Sequence, residues 1–242
     1  MSLGEEIEGI FAILEKDLKA YYFKPPNISW GILFPIVLAL SFSLRNPNGL
    51  TDLSPGLIAM AALFGTTSME AIVITFEKRV GALERLQLTP INASSIILGK
   101  LLGGTVFGLV ISSVMTLITV IFLGAEISNM PMFMIILLLT NIVNSALGAL
   151  VAVSVKEVFE AQTLSNYFRF PMIFLCGVFL PLSEMQLVLR FIGRLLPLTY
   201  SVEIFRGLML DQTMYFSDIT LLIGFSLLLP YLSIILFKKN QE

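Results

Sequence analysis

The sequence predicts an all-α integral membrane protein, with an amphipathic N-terminal helix, six transmembrane helices and short re-entrant or outer helices between the fifth and sixth. Of its 242 residues, 56% are hydrophobic and only 13% are charged, whereas a soluble domain carries about 25% charged residues. The mean hydropathy is +0.90. The core of a single soluble domain cannot bury so large an excess of apolar residues, so many of them must face lipid. The net charge of −2 provides no basic field for nucleic acid.

Missing residue types exclude several kinds of chemistry. The chain has no histidine and a single cysteine, which excludes His-ligated metals, Ser-His triads and an internal disulfide. No P-loop motif is present, so this chain does not hydrolyse ATP by that route. An intramembrane enzyme is disfavoured because the sequence has neither paired intramembrane aspartates nor a Ser/Lys dyad.

Residues 1–26 are predicted to form an amphipathic helix in the membrane interface. Apolar residues recur at helical spacing while charges occupy the other face, and Pro25 and Pro26 end the helix. The apolar positions are Ile7, Ile10, Phe11, Leu14, Leu18 and Tyr21. A helix packed on another subunit is the open alternative.

Six spans follow, each judged against the roughly 20 apolar residues needed to cross about 30 Å. They cover residues 28–44, 53–75, 94–123, 131–155, 164–180 and 219–237. Residues 181–218 are too charged to span and too apolar for a free loop, which predicts short helices dipping into the membrane surface. Residues 1–242 therefore form one transmembrane domain.

The distribution of Lys and Arg predicts the orientation of the chain. With the N-terminus in the cytoplasm, ten of these residues lie on the inner side and four on the outer side. We therefore expect both termini to be cytoplasmic, in the cell membrane.

The segment 77–91, here called the coupling segment, predicts a short amphipathic helix on the cytoplasmic face. Gly81 and Pro90 bracket it, and apolar Leu83, Leu86 and Leu88 flank charged Glu84 and Arg85. Such a helix suits docking into a partner's groove. A surface helix that lies on the lipid headgroups fits the same residues.

The coupling segment resembles the signature of the ABC-2 transporter permeases, Arg-Glu-x-Gly-Thr-Leu-Glu-x-Leu-x-x-Thr-Pro followed by Gly-Lys. This chain matches at Gly81, Leu83, Glu84, Leu86, Thr89, Pro90, Gly99 and Lys100, and departs at Ala82 and at the charged pair Lys78-Arg79. Residues 176–182 are similar to the family's Ser-Gly-x-Phe-x-Pro-Leu, and Pro197 to Tyr200 with Glu203 and Arg206 resemble its Pro-Leu-Thr-Tyr…Glu-x-x-Arg.

The resemblance implies a homodimer or heterodimer of such chains, each docked to a separate ATP-hydrolysing subunit that holds ATP and Mg. This chain would bind no cofactor. The residues implied to bind the ATPase are Lys78, Arg79, Gly81, Leu83, Glu84, Arg85, Leu86, Thr89 and Pro90. Residues 181–218, the outer segment, would form an outer gate with Pro181, Pro197, Tyr200, Glu203 and Arg206. Glu203 and Arg206, at i, i+3 spacing, are expected to pair.

Small and polar residues inside the spans are further candidates. Gly99, Gly103, Gly104 and Gly108 form a small-residue face for packing within the chain or for a dimer contact. Asn141 and Asn144 belong to a polar stripe that must face protein or a pathway. Glu70 lies within a span, with Lys100 as the expected ion-pair partner, and Arg169 lies in the fifth span.

Two function classes remain. The first is the permease subunit of an ATP-binding-cassette exporter, which forms the translocation pathway and has no ATPase site of its own. The second is a secondary transporter or channel in which Glu70 and Arg169 carry the coupling.

Overall fold

The structure, a computed structural model, describes residues 3–43, 50–210 and 216–239. Ten α-helices lie in these residues. In chain order they are α1 (Leu3–Asp17), α2 (Pro25–Ser43), α3 (Leu50–Arg79), α4 (Ala82–Gln87), α5 (Ala93–Leu123), α6 (Met130–Ser154), α7 (Val158–Leu175), α8 (Leu187–Arg194), α9 (Pro197–Met209) and α10 (Phe216–Lys239). The predicted turn at 45–49 and the C-terminal part of the first span lie outside the described residues.

Among the described residues, four helices are long and apolar enough to cross a membrane: Thr51–Arg79, Ala93–Leu123, Met130–Ser154 and Phe216–Lys239. The first and fifth predicted spans coincide with α2 and α7. Within α2, the described apolar stretch is Gly31–Ser41, which is shorter than the four helices above. Helix α7 carries Glu160 and Arg169 and ends at Leu175, five residues before the predicted end.

Helix α3 lies at the centre of the bundle. It packs against α2, α5, α6, α7 and α9, and its apolar residues from Leu57 to Phe64 are almost fully buried. Helix α10 packs mainly on α6, α9 and α5, and most of its residues remain exposed. An exposed apolar helix is stable in lipid, where its side chains keep a non-polar surrounding.

Helix ends are defined by local sequence signals. Asn129 caps α6 by accepting a 3.0 Å hydrogen bond from the Met132 amide, and α7 begins with a capping box between Glu157 and Glu160. Gly124 follows α5 with φ of +65°, a left-handed conformation that glycine adopts without strain.

Helix α1 packs on α5 through a face that differs from the predicted apolar stripe. Gly9, Ile13 and Asp17 are buried, while Ile7 and Phe11 are exposed. The reason is steric: Gly99 of α5 approaches the backbone of α1, so that a Cβ there would lie 3.0 Å from the Ile10 carbonyl oxygen. A five-residue π-helix, Leu18–Tyr22, continues α1.

The two ends of the bundle carry different elements. Helix α4, the start of α5 and the ends of α3, α6 and α10 meet at one end, which we call the α4 end. Helices α8 and α9 lie at the opposite end, which we call the α9 end, where α9 is buried against α3, α6 and α10.

Candidate functional site

Helix α4 is the single short helix between α3 and α5. The chain leaves α3 through Val80 and turns at Gly81, which has φ of +68°. Arg85 stabilises this turn, since its Nε donates to the Gly81 carbonyl at 3.2 Å and its Nη2 to the Val80 carbonyl at 3.3 Å. At the other end, Oγ1 of Thr89 donates to the Leu86 carbonyl at 2.5 Å. A glycine is needed at position 81 because other residues rarely adopt a φ of +68°.

The apolar residues of α4 divide between the core and the surface. Leu83 is 4% exposed and belongs to the main core, whereas Leu88 is 87% exposed. Leu86 is half-buried, and Glu84, Thr89 and Pro90 are exposed. Leu83, which the resemblance implies as an ATPase contact, packs against the core of this chain, because a short helix must use one side chain to attach itself to the bundle.

A cavity of about 210 Å³ lies beside α4. Its apolar floor is formed by Ile74, Leu83, Ala152, Val153 and Phe237, and its rim by Lys78, Glu84 and Gln87. The floor joins α3, α6 and α10, so a side chain inserted here would contact three long helices at once.

The turn between α6 and α7 lies next to the coupling segment. Nζ of Lys78 donates to the Val155 carbonyl at 3.4 Å. Arg79 lies 3.9 Å from Oε2 of Glu157, and both side chains are more than half exposed. Such an exposed pair contributes little to stability.

Two cations and two carboxylates form a cluster between α1, α3 and α5, here called the charge cluster. Nζ of Lys100 lies 3.1 Å from Oδ2 of Asp17 and also donates to Oε2 of Glu77. Nζ of Lys16 lies 2.9 Å from Oδ1 of Asp17 and donates to Oε1 of Glu77. Asp17, Glu77 and Lys100 are buried. The cluster therefore joins α1 to the two helices that flank α4.

The electrostatics of the charge cluster reflect burial balanced by pairing. Burial raises the pKa of Asp17 above its ordinary value, with Lys100 acting in the opposite direction. Burial alone would lower the pKa of Lys16, but its contacts with Glu77 and Asp17 raise it above the ordinary value. Because the two positive and two negative charges compensate one another, the cluster can stay ionised in a buried position.

Glu70 has a different partner from the one expected. Its Oε2 accepts a 2.5 Å hydrogen bond from the Tyr22 hydroxyl, while Lys100 forms its ion pairs with Asp17 and Glu77. The expected Glu70–Lys100 ion pair is therefore wrong. Burial, together with Glu70, raises the pKa of Tyr22 well above its ordinary value, so Tyr22 remains the donor.

Sequence reasoning missed the roles of Asp17, Tyr22 and Glu77. Gly9, Ile13 and Asp17 are spaced four residues apart and therefore share one face of α1. A carboxylate on a face that otherwise carries small and apolar residues was a signal that Asp17 is buried. Tyr22 gives no comparable signal, because the π-helix that directs it inward does not follow the periodicity of α1.

The glycines of α5 serve packing within the chain. A Cβ on Gly103 would lie 3.4 Å from the Tyr22 ring, and one on Gly104 would collide with the carboxylate of Glu70. A Cβ on Gly108 would likewise collide with the side chain of Asn141. All four glycines, including Gly99, are buried in the single chain.

The polar stripe of α6 faces protein. Nδ2 of Asn141 donates to the Leu137 carbonyl at 2.7 Å and lies 3.1 Å from Oγ of Ser112 in α5. The Asn144 carbonyl accepts a 3.2 Å hydrogen bond from Thr67 of α3. The stripe therefore links α6 to both neighbouring long helices.

The outer segment contains α8 and α9, joined by a tight turn. Pro197 begins α9 at a position where its missing amide hydrogen is not needed, and Pro181 precedes a short 3₁₀-helix. The Tyr200 hydroxyl donates to the Arg194 carbonyl at 2.5 Å. Residues 211–215, which complete this segment, lie outside the described residues.

Arg206 does not form the expected ion pair with Glu203. Its Nη2 donates to the Gly177 carbonyl at 2.7 Å, while Oε1 of Glu203 is buried without a hydrogen-bond partner among the described residues. The cause is the turn after α7, which presents a backbone carbonyl to the guanidinium. Arg206 thus links α9 to the end of α7.

A second cavity of about 470 Å³ opens beside α9. Arg194, Glu203 and Asp218 contribute charges of both signs to its walls. Arg190, also in the wall, donates from Nε to the Leu182 carbonyl at 2.8 Å, so its role is to stabilise the loop before α8.

Arg169 is buried between α7 and α3. Its Nη2 donates to Asn166 at 2.5 Å, and its guanidinium carbon lies 4.4 Å above the ring of Phe64. It therefore faces the centre of the bundle, whereas Tyr167 and Phe168 are exposed on the other side of α7.

Two known proteins are similar in sequence to about two thirds of this chain. The Inner membrane transport permease YadH of Escherichia coli (strain K12) is 26% identical over 152 residues, which are 63% of this chain and 59% of that protein. Nodulation protein J of Sinorhizobium fredii is 25% identical over 162 residues, 66% of this chain and 62% of that protein. The matches thus span about three fifths of each relative. The family model for the ABC-2 type transporter matches residues 8–210, and the chain therefore belongs to the ABC-2 type transporter family.

Proposed function

We propose that this chain is the membrane-spanning permease subunit of an ATP-binding-cassette exporter. It forms the translocation pathway and receives the motion of a separate ATP-hydrolysing subunit, which holds the ATP and Mg. Six helices, α2, α3, α5, α6, α7 and α10, cross the membrane, and α1 lies in the interface with Ile7 and Phe11 toward lipid. The permease works as a dimer with a second such chain.

The observation that carries this proposal is the attachment of α4. Leu83 fixes α4 to the core, the charge cluster ties its two flanking helices to α1, and Glu84 and Leu88 face outward. A helix held in this way can transmit a displacement to α3 and α5 without bending. The contact with the ATPase therefore consists of Glu84, Leu86 and Leu88, with Lys78, Arg79 and Glu157 at its edge.

The alternative, a secondary transporter coupled through Glu70, has weaker support. The Glu70 carboxylate accepts from Tyr22 and lies against Gly104, and the Cβ of Glu70 lies against Gly148. A coupling carboxylate must exchange its ion with both sides of the membrane, whereas Glu70 is fully enclosed.

Co-purification with the ATP-hydrolysing subunit tests the proposal. Burying one leucine stabilises a contact by about 1.5–3 kcal/mol, so Leu88→Asp should weaken ATPase recovery by roughly ten-fold or more. Glu84→Lys should act in the same direction. Leu187→Asp is the matched control, because Leu187 is equally exposed but lies at the α9 end. Normal recovery and normal transport in both α4 variants would contradict the assignment.

A further inference from the structure

Arg169 carries a charge at mid-height in the bundle that the described chain does not neutralise. Phe64, which its guanidinium covers, lies fourteen residues from the first residue of α3 and fifteen from the last. Arg169 is 1% exposed. Its Nε and Nη1 have no hydrogen-bond partner, and no carboxylate within the described ranges forms an ion pair with it. An arginine at this depth is unfavourable in a membrane protein unless it has a function.

Two serine hydroxyls lie one helical turn from this guanidinium along α3 and α7. Helices α3 and α7 run antiparallel, since the end of α3 meets the start of α7 at the Arg79–Glu157 contact. One turn toward the α4 end, Phe64 is followed by Ser68 on α3, and Arg169 is preceded by Ser165 on α7. Both serine hydroxyls are buried without a hydrogen-bond partner. Helical spacing thus places Ser68 and Ser165 at one level next to Arg169.

The composition of this group points to an anion. Arginine and serine together offer several N–H and O–H donors, which match the oxygens of a carboxylate or a phosphate. Phe170 on the same stretch of α7, whose ring centre lies 6.4 Å from that of Phe64, adds non-polar surface. A ligand with one anionic group and an apolar body fits both features.

The described residues of a second copy offer no carboxylate for this guanidinium. Apart from Glu70, every aspartate and glutamate in residues 3–43, 50–210 and 216–239 lies in α1, α4 or α9, between helices, or within three residues of the end of a long helix. Glu70 is fully buried and bonded to Tyr22, and Glu203 of α9 faces a cavity in its own chain. The anion at mid-membrane must therefore come from a molecule other than this chain.

We propose that Arg169, Ser165 and Ser68 form a binding site for the anionic group of an amphiphilic substrate that carries a carboxylate or a phosphate. The inference rests on the proposed transport function and specifies its substrate class. In the conformation described here the guanidinium stacks on Phe64. Separation of α3 and α7 admits the anion, and the stacking contact is then replaced by an ion pair.

Binding to the purified chain tests the site without any ATPase. The protein is placed in nanodiscs of zwitterionic phosphatidylcholine, and thermal unfolding is followed with four probes: dodecyl phosphate, laurate, dodecanol and dodecyltrimethylammonium. We expect the two anionic probes to raise the unfolding temperature of the wild type by several degrees, while the neutral and cationic probes do not. A larger shift with dodecyl phosphate would indicate a phosphate site, and a larger shift with laurate would indicate a carboxylate site.

Three variants complete the experiment. Arg169→Met should bind the anionic probe at least ten-fold more weakly, Arg169→Lys should retain part of the response, and Lys156→Met, which removes an exposed charge, should respond like the wild type. Without a probe, Arg169→Met should unfold at the same temperature as the wild type or higher, because it removes an uncompensated buried charge.

Three results would overturn the proposal. An unchanged response in Arg169→Met would place the probe elsewhere, and a large fall in its unfolding temperature would show that Arg169 is a structural residue. No response of the wild type to either anion would show that Arg169 does not bind an anionic amphiphile. None of these results bears on ATPase binding, so the failure of the site and the failure of the coupling assignment are distinguishable.

Discussion

Nζ of Lys100 lies 3.1 Å from Oδ2 of Asp17, and both side chains are buried although 83 residues separate them in the chain. With Lys16 and Glu77 they connect the N-terminal helix to the two helices on either side of α4. We therefore expect the loss of Lys100 to destabilise the protein.

Lys100→Met should destabilise the protein by about 3–5 kcal/mol, since it leaves two buried carboxylates with Lys16 as their sole cation in the cluster. Denaturation of the purified protein in mixed micelles measures the free energy of unfolding. The control is Lys19→Met, because Lys19 pairs with Glu15 on the surface and its loss should have no measurable effect. Equal stability of both variants would show that the charge cluster does not hold α1.

Leu83 and Leu88 should differ in their effects on stability. Leu83→Ala opens a cavity in the core and should cost about 2–5 kcal/mol, whereas Leu88→Ala should change the free energy of unfolding by less than about 0.5 kcal/mol. The same denaturation measurement applies to both. A small loss in Leu83→Ala would mean that α4 is not attached through this side chain.

Gly108→Ala should destabilise the bundle, because its Cβ would collide with Thr66 and Asn141. Overpacking of this kind costs about 1–3 kcal/mol. Gly224→Ala in α10 is the matched control, since nothing lies within 4 Å of the added Cβ. Thermal unfolding of the two variants in the same detergent measures the difference. If both unfold like the wild type, α5 does not approach α3 and α6 as closely as described.

Glu203 should make stability depend on pH. Burial raises its pKa above the ordinary value of 4.5, with Arg206 acting in the opposite direction. A group whose pKa is higher in the folded state stabilises the fold below its unfolded pKa, and this contribution is lost as the pH rises through the folded value. Glu203→Gln should therefore match the wild type near about pH 4 and exceed it in unfolding temperature near about pH 7.

The control for Glu203 is Glu126→Gln, which changes an exposed carboxylate in the loop between α5 and α6. Its unfolding temperature should follow the wild type at both pH values. If Glu203→Gln also follows the wild type, the carboxylate is not desolvated beside α9.

The orientation predicted from the Lys and Arg distribution can be tested with reporter fusions. A reporter after Lys239 should be located in the cytoplasm, and one inserted at Glu184 should be located outside, because positively charged loops remain inside. A cytoplasmic reporter at Glu184 would contradict the assignment of α8 and α9 to the outer side.

The sequence by itself determined that this chain is helical and lies in a membrane, and its motifs indicated the family. Apolar runs such as that of α5 are local signals, because each residue contributes to hydropathy independently of its neighbours in space. The glycine at 81 and the prolines at 181 and 197 likewise act through the local backbone, so their positions at turns and helix starts were predictable. The family match over residues 8–210 confirms the resemblance to the ABC-2 transporter permeases.

Only the tertiary structure decided which charged and polar groups meet. Lys100 was expected to pair with Glu70, yet it pairs with Asp17 and Glu77 because a π-helix after α1 places Tyr22, and not a lysine, against Glu70. Arg206 likewise binds a backbone carbonyl. Such partners depend on helix rotation and on approaches of a few ångströms between distant segments, and neither periodicity nor spacing in one sequence contains that information.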